Sequence, residues 1–213
     1  MKLRMLMTAL TMTAIASTPA MAQNAEHLKI LVETRECQRC ELAGASAPNA
    51  DLRGAFLDVT DLRRSVMNGV NLVGATLFYV DFRNANLMGS DLRNSYAING
   101  DFIRANLMGA NGRNSRWKFA DFTEADLRRT NLIDAELVYA KFVRADLRDA
   151  SLRYASLYRA DLRNADLRGA DLYRADLTEA DLSGVDLSQT NLCRATMPDG
   201  QISFQGCLLP RSR

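Results

Sequence analysis

Ala160-Asp161-Leu162-Arg163-Asn164-Ala165-Asp166-Leu167-Arg168-Gly169 repeats a five-residue unit, and the run it belongs to decides the fold. From Phe122 to Leu192 a leucine or phenylalanine stands on every fifth residue without a miss. A small residue, usually alanine, lies two positions before each centre, and Asp or Asn commonly lies one before it. On an α-helix five residues advance by about 500°, so successive leucines would wander around the axis. On a straight strand they would alternate between faces. They share one core only if the chain turns about once per pentad, which makes each pentad one side of a coil and the chain a solenoid.

A second period counts the sides. Phe82, Phe102, Phe122 and Phe142 recur every twenty residues, as do Gly69, Gly89 and Gly109. Ala85-Asn86-Leu87-Met88-Gly89 is nearly copied at Ala105-Asn106-Leu107-Met108-Gly109. Four pentads therefore make one coil, with the small residue pointing inward at each corner. The register runs from Leu42 to Ile202 as 33 centres, about eight coils. At ~4.8 Å per coil the rod is roughly 40 Å long.

From Cys40 to about Met197 the chain resembles the pentapeptide-repeat family, with thirty-odd consecutive units carrying the resemblance. The resemblance implies an all-β fold: a right-handed, four-sided parallel β-helix with Leu or Phe stacked inside. It fixes architecture far better than activity.

Residues 1–22 read as a secretory signal peptide. Lys2 and Arg4 precede an apolar run from Met5 to Ala16, and Ala20-Met21-Ala22 is an A-x-A cleavage site. The run is too short to span a bilayer, so no membrane span is expected. The mature protein is expected to begin near Gln23, exported to the periplasm or an equivalent compartment such as a thylakoid lumen. The chain carries 27 Lys plus Arg against 25 Asp plus Glu. Loss of Lys2 and Arg4 leaves 25 of each, a balance with no bulk attraction for nucleic acid.

Residues 23–39 form a capping helix and a C-x-x-C segment. The helix is expected over Asn24 to Glu36, with Asn24 as N-cap and Leu28, Leu31 and Val32 on one face beside Ile30. His27, the only histidine, reads as a solvated helix residue. Cys37 and Cys40 invite a redox reading in an exported protein, but no thioredoxin-like pattern surrounds them. A structural staple or packing role is favoured, since Cys40 occupies an inward small position. Residues 198–213 form a turn, cap and tail. Pro198-Asp199-Gly200 is a turn signal, and Gln201 to Gln205 is expected to cap the core with Ile202 and Phe204. Cys193 and Cys207 flank this turn and are candidates to staple it. Leu208 to Arg213 reads as a loose tail.

Two readings stand for the one tryptophan. Ala97 is twenty residues below Trp117 in the same column, and Gly112 is the preceding centre. Either the small centres compensate a buried Trp117, or residues 111–118 bulge out of the coil. Compensation is favoured because the register resumes at Phe122 with nothing inserted.

The Asp and Arg columns read as solvated ladders, individually worth little. No Ser-His-Asp or Cys-His set, phosphate loop or zinc motif is present, so neither enzyme activity nor a cofactor is expected. One side differs from the others. Folding by twenty gathers Phe56, Phe78, Tyr79, Tyr96, Phe119, Tyr139 and Tyr158 on the side whose centres include Leu57, Leu77, Leu137 and Leu157. A contiguous exposed apolar strip there would serve a protein partner or a homodimer. The expectation is a non-enzymatic interaction scaffold. The alternatives are an exported thiol/disulfide protein using Cys37 and Cys40, and DNA mimicry of the kind some family members show towards topoisomerases. The last requires an acidic surface, which this chain lacks.

Overall fold

The computed structural model describes residues 19–207, with side chains from residue 23. One helix, α1 (Pro19–Thr34), precedes a coil that turns at every pentad. Parallel bridges link the pre-centre residues to those twenty further on, from Glu36–Phe56 through Asp101–Asp121 to Asp176–Thr196, with a gap only between Asp166 and Asp186. No longer strand forms, because each side holds one bridging residue before the chain turns again.

The hydrogen bonds explain why the unit is five residues long. In the pentad centred on Leu127, Asp126 N donates back to Ala105 O at 3.0 Å, and Leu127 N donates forward to Asp146 O at 2.8 Å. Arg129 N donates forward to Arg148 O at 3.0 Å, and Thr130 N closes the turn on Leu127 O at 3.2 Å. The fifth donor, Arg128 N, goes to Asp126 Oδ1 at 3.2 Å. Every N–H of the unit is thus satisfied, as a narrow solenoid requires. The second turn residue has positive φ, 56° at Arg129, as in a type II turn. The same Asx bond recurs along the rod, for instance from Ile103 N to Asp101 Oδ1 at 3.0 Å and from Met88 N to Asn86 Oδ1 at 3.2 Å. It gives Asp and Asn a backbone task that a merely solvated ladder would not have. The short polar side chain stands in for a turn acceptor.

The centres and small residues form one core. Phe82, Phe102, Phe122 and Phe142 stack with centroids 5.3, 4.8 and 5.0 Å apart. Trp117 is 1% exposed and remains in the coil, where Trp117 N donates to Glu136 O at 2.9 Å. Its Nε1 donates to Ser95 Oγ at 3.0 Å, which satisfies the one polar atom of a buried indole.

The ends depart from expectation. The helix starts at Pro19 and stops at Thr34, so Asn24 is inside it and not its N-cap. Asn24 Nδ2 instead donates to Ala43 O at 2.8 Å, tying the helix to the first coil. Leu31 is buried and Leu28 half-buried against the core, but Val32 and Ile30 face solvent. Val32 is one helical step of about 100° from Leu31, enough to leave a narrow contact stripe. His27 is half-buried and not simply solvated: its Nδ1 accepts Glu41 N at 3.1 Å. Arg35, with φ 62°, reverses the chain into the first coil. No helix among the described residues is long and apolar enough to cross a membrane.

At the other end residues 201–205 do pair with the last coil: Arg194 N donates to Ser203 O at 2.8 Å and Leu192 N to Gln205 O at 3.1 Å. Ile202 and Phe204 do not cover the core, however, being 49% and 73% exposed. The bridge between Thr196 and Ile202 is antiparallel, so the segment runs back along one edge and does not cross the open end. The Leu208 to Arg213 tail lies outside the described residues.

Candidate interaction surface

The side that gathers the aromatic residues is built from three columns. Phe56, Thr76, Tyr96, Arg116 and Glu136 stand one before each centre. Asp58, Phe78, Ile98, Lys118, Val138 and Tyr158 stand one after it, and Val59, Tyr79, Asn99, Phe119, Tyr139 and Arg159 two after it. The last column takes positive φ, which turns its side chains out at the corner: Tyr79 is 63% exposed, Phe119 50% and Tyr139 38%. Phe56 is 45% exposed, whereas Phe78, Tyr96 and Tyr158 are half-buried against the coil.

The rings fall into two groups. Near the N-terminal end Phe78 and Tyr96 lie 6.5 Å apart, flanked by Phe56 and Tyr79. Further along, Phe119 and Tyr139 stack at 5.1 Å with planes 7° apart, and Tyr158 meets Tyr139 edge-on at 6.0 Å. Between the groups, Glu136 binds Lys118 at 2.9 Å and Arg116 at 3.2 Å. The Lys118 ammonium holds the Glu136 carboxyl below the usual carboxylate range. Asp58 Oδ1 accepts Phe78 N at 2.9 Å, doing from the neighbouring coil what Thr76 cannot.

Arg159 organises the second group. It lies 5.1 Å from the Tyr158 centroid and 5.7 Å from that of Tyr139, and donates to Tyr139 Oη at 2.7 Å. Glu179 receives Arg159 Nε at 2.6 Å and Tyr158 Oη at 3.0 Å. These bonds depress the Glu179 carboxyl and raise the Tyr158 hydroxyl. The phenols are therefore held by hydrogen bonds, with their rings against one another or against guanidinium. Such a surface offers burial and hydrogen bonding to a protein.

Sequence reasoning missed a third group on the adjoining side. Tyr154 and Tyr173 meet edge-on at 5.6 Å, with Arg153 4.8 Å and Arg174 5.5 Å from the Tyr173 centroid. The two tyrosines occupy different columns, nineteen residues apart, so folding by twenty does not align them.

Cys37 and Cys40 form one disulfide, Cα atoms 5.4 Å apart, and Cys193 and Cys207 another at 4.8 Å. Cys37 and Cys40 are 3% and 8% exposed. The Asp and Arg columns interlock: Arg128 binds Asp126 at 2.6 Å within its pentad and Asp146 of the next coil at 3.6 Å, and Arg148 repeats this with Asp146 and Asp166. A shallow groove lined by Arg63, Arg64 and Arg83 has two of its three guanidinium groups engaged by Asp61 and Asp81. Among the described residues no cluster of His, Cys, Asp and Glu is disposed to hold a metal.

Solved structures resemble this rod. Full-length QnrB1, a plasmid-mediated fluoroquinolone resistance protein, is 18% identical with a TM-score of 0.62, covering 83% of this chain and 94% of its own. HetL, a pentapeptide repeat protein involved in heterocyst differentiation regulation from the cyanobacterium Nostoc, is 28% identical over 84% of this chain and 98% of its own. Its TM-score is 0.28, too low for the superposition to bear on function. None of the curated proteins compared matches.

The family profile described as pentapeptide repeats matches in eight copies, over residues 57–94, 90–129, 118–153, 130–169, 155–192 and 170–199. Proteins of this kind are right-handed quadrilateral β-helices and generally non-enzymatic. The period of twenty, the four turns per coil and the profile agree, and the chain belongs to the pentapeptide-repeat family.

Proposed function

We propose that this protein is an exported, non-enzymatic scaffold of about eight coils that binds a protein partner, or a second copy of itself, through its aromatic side. The observation that carries the reading is the cluster of Phe119, Tyr139 and Tyr158, exposed or half-buried, in which Arg159 and Glu179 hold the two tyrosines and Phe119 stacks on Tyr139. Preorganised rings lose little conformational freedom on burial, which favours them as anchors. The charge balance of the mature chain argues for short-range burial and against a DNA-mimicking role. The thiol/disulfide alternative asks Cys37 or Cys40 to be an accessible nucleophile, and both are buried, Cys37 with its sulfur 3.4 Å from His27 O of α1.

The test changes Tyr79, Phe119 and Tyr139 together to Ser, since all three are exposed. Sedimentation and affinity capture from the exported fraction should show wild-type association that the variant loses, with unchanged thermal unfolding. A wild type that stays monomeric and captures nothing rejects the surface. Cell fractionation with N-terminal sequencing tests the address, the expected mature start being Gln23.

A further inference from the structure

Near the C-terminal end of the rod, charge is divided unevenly between the sides. In the pentads centred on Leu152, Leu172 and Leu192 the outward positions hold Arg153, Arg174 and Arg194 against Asp171 alone. The preceding side, at the same level, carries Arg148 and Arg168 against Asp146, Asp149, Asp166 and Asp186. The following side carries Arg159 against Asp176, Glu179 and Asp199. A basic strip therefore runs between two acidic ones.

Two tyrosines lie in this strip, and the arginines are arranged around them. Asp171 Oδ1 accepts Tyr173 N at 3.0 Å and Asn191 Nδ2 at 2.8 Å, and its Oδ2 accepts Arg153 at 3.1 Å. Arg153, so held, lies 4.8 Å from the Tyr173 centroid. Arg174 lies 5.5 Å from the same centroid and 6.0 Å from that of Tyr154. Stacking occupies the face of a guanidinium and leaves its N–H edge to fork onto a carboxylate. Arg174 is exposed, and so is Tyr154. Arg194, also exposed, continues their corner column one coil further. Its backbone is fixed by the bond from Arg194 N to Ser203 O at 2.8 Å, beside the Cys193–Cys207 disulfide.

We propose that this strip is a second docking surface, separate from the aromatic side, for an acidic segment of a partner protein. Carboxylates of the segment meet Arg174 and Arg194, which stand one coil, about 4.8 Å, apart along the rod. An apolar residue beside them covers Tyr154, as arginine and tyrosine together favour at protein interfaces. The acidic strips on either side repel a segment that strays from the arginines, which holds it parallel to the rod axis. A second copy packed about a two-fold axis would set this basic strip against itself, so the occupant is a different chain.

The experiment titrates a fluorescein-labelled peptide of alternating Glu and Leu into the oxidised protein, reading anisotropy and backbone NMR shifts. The peptide should bind saturably, weaken with added salt, and shift the amides of Tyr154, Tyr173, Arg174 and Arg194 most. Arg174→Gln/Arg194→Gln should lower its affinity at least about tenfold. Arg174→Lys keeps the charge but loses the planar fork, and should lower it about threefold. Arg129→Gln/Arg144→Gln removes as much charge from other sides and should bind as wild type does. All these side chains are exposed, and thermal unfolding checks that each variant is folded; should the double variant fail, Arg174→Lys still decides. The proposal is overturned by absence of saturable binding, by equal loss in the Arg129/Arg144 control, or by equal affinity for a peptide with Gln in place of Glu. Tighter binding of heparin through the same amides also overturns it, assigning the strip to a sulfated polysaccharide.

Discussion

The Cβ that Gly112 lacks would stand 2.6 Å from Cη2 of Trp117 and 3.0 Å from Cδ2 of Leu132. The indole occupies the space a leucine at Gly112 would have filled, so the two positions share one volume. Gly112→Ala should cost about 1–3 kcal/mol by overpacking, and Trp117→Ala about 3–5 kcal/mol by leaving a cavity. The double variant Gly112→Leu/Trp117→Leu, which restores the repeat consensus, should be far less destabilised than its single variants sum to. Urea unfolding of the four proteins measures this. Additivity within about 0.5 kcal/mol would reject the shared volume.

Asp101 separates the two tasks of the pre-centre residue. Its Oδ1 accepts Ile103 N at 3.0 Å, and the residue two on is Ile103 where other pentads have arginine; Arg83 approaches it only to 3.4 Å, and burial raises its carboxyl, with Asp81 and Asp121 adding to the effect. Asp101→Asn keeps the acceptor and removes the charge, so it should be neutral or stabilising. Asp101→Ala removes the acceptor and should cost about 1 kcal/mol, as for a lost cap. Thermal unfolding distinguishes them, and equal destabilisation by Asn and Ala would show that the Asx bond contributes nothing.

Val59 holds a positive φ of 59° with a β-branched side chain that is 53% exposed. The left-handed region disfavours such a residue by roughly 1–2 kcal/mol, and the side chain recovers little by packing. Val59→Asn should therefore raise stability by about 1 kcal/mol, a rise of about 2–4 °C in midpoint. Val59→Gly should gain less, because glycine loses more freedom on folding. A lower midpoint for Val59→Asn would assign the side chain a packing role.

The Asp–Arg pairs set the acid limit. Hydrogen bonds from the arginine two residues on hold Asp61, Asp91, Asp126, Asp161 and Asp166 below the usual carboxylate range, and Arg53 lowers Asp51 to about 2. A folded pKa below the unfolded one stabilises the protein above the unfolded value, near 4, and this stabilisation is lost as pH falls through the folded values. Stability should be level above about pH 5 and fall towards pH 2. Raised Asp101 works in the opposite sense but stands alone against six. Urea midpoints across this range give the answer, and a rise between pH 5 and pH 3 would contradict it.

The twenty-residue coil, the inward centres and the phenylalanine ladder were legible in the sequence because each pentad settles its own turn from its own residues. Repetition then copies that local decision along the rod. The burial of Trp117 was legible too, since Ala97 and Gly112 are visibly too small. The Asx bond was not read, although Asp and Asn announce it at every turn, because a carboxylate beside an arginine looks like an ion pair first.

What only the tertiary structure decided lies where repetition stops or side chains from different coils meet. His27 accepting Glu41 N, Asp58 completing the turn at Phe78, and Arg153 and Arg174 joining Tyr154 to Tyr173 all depend on side-chain direction between segments. No spacing rule encodes that direction. The ends are the extreme case. Ile202 and Phe204 fit the pattern of a cap, but with no further coil to hold them in register they turn to solvent. A periodic sequence specifies how each unit meets its neighbours, and the boundary, having a neighbour on one side only, is left to the packing of the whole.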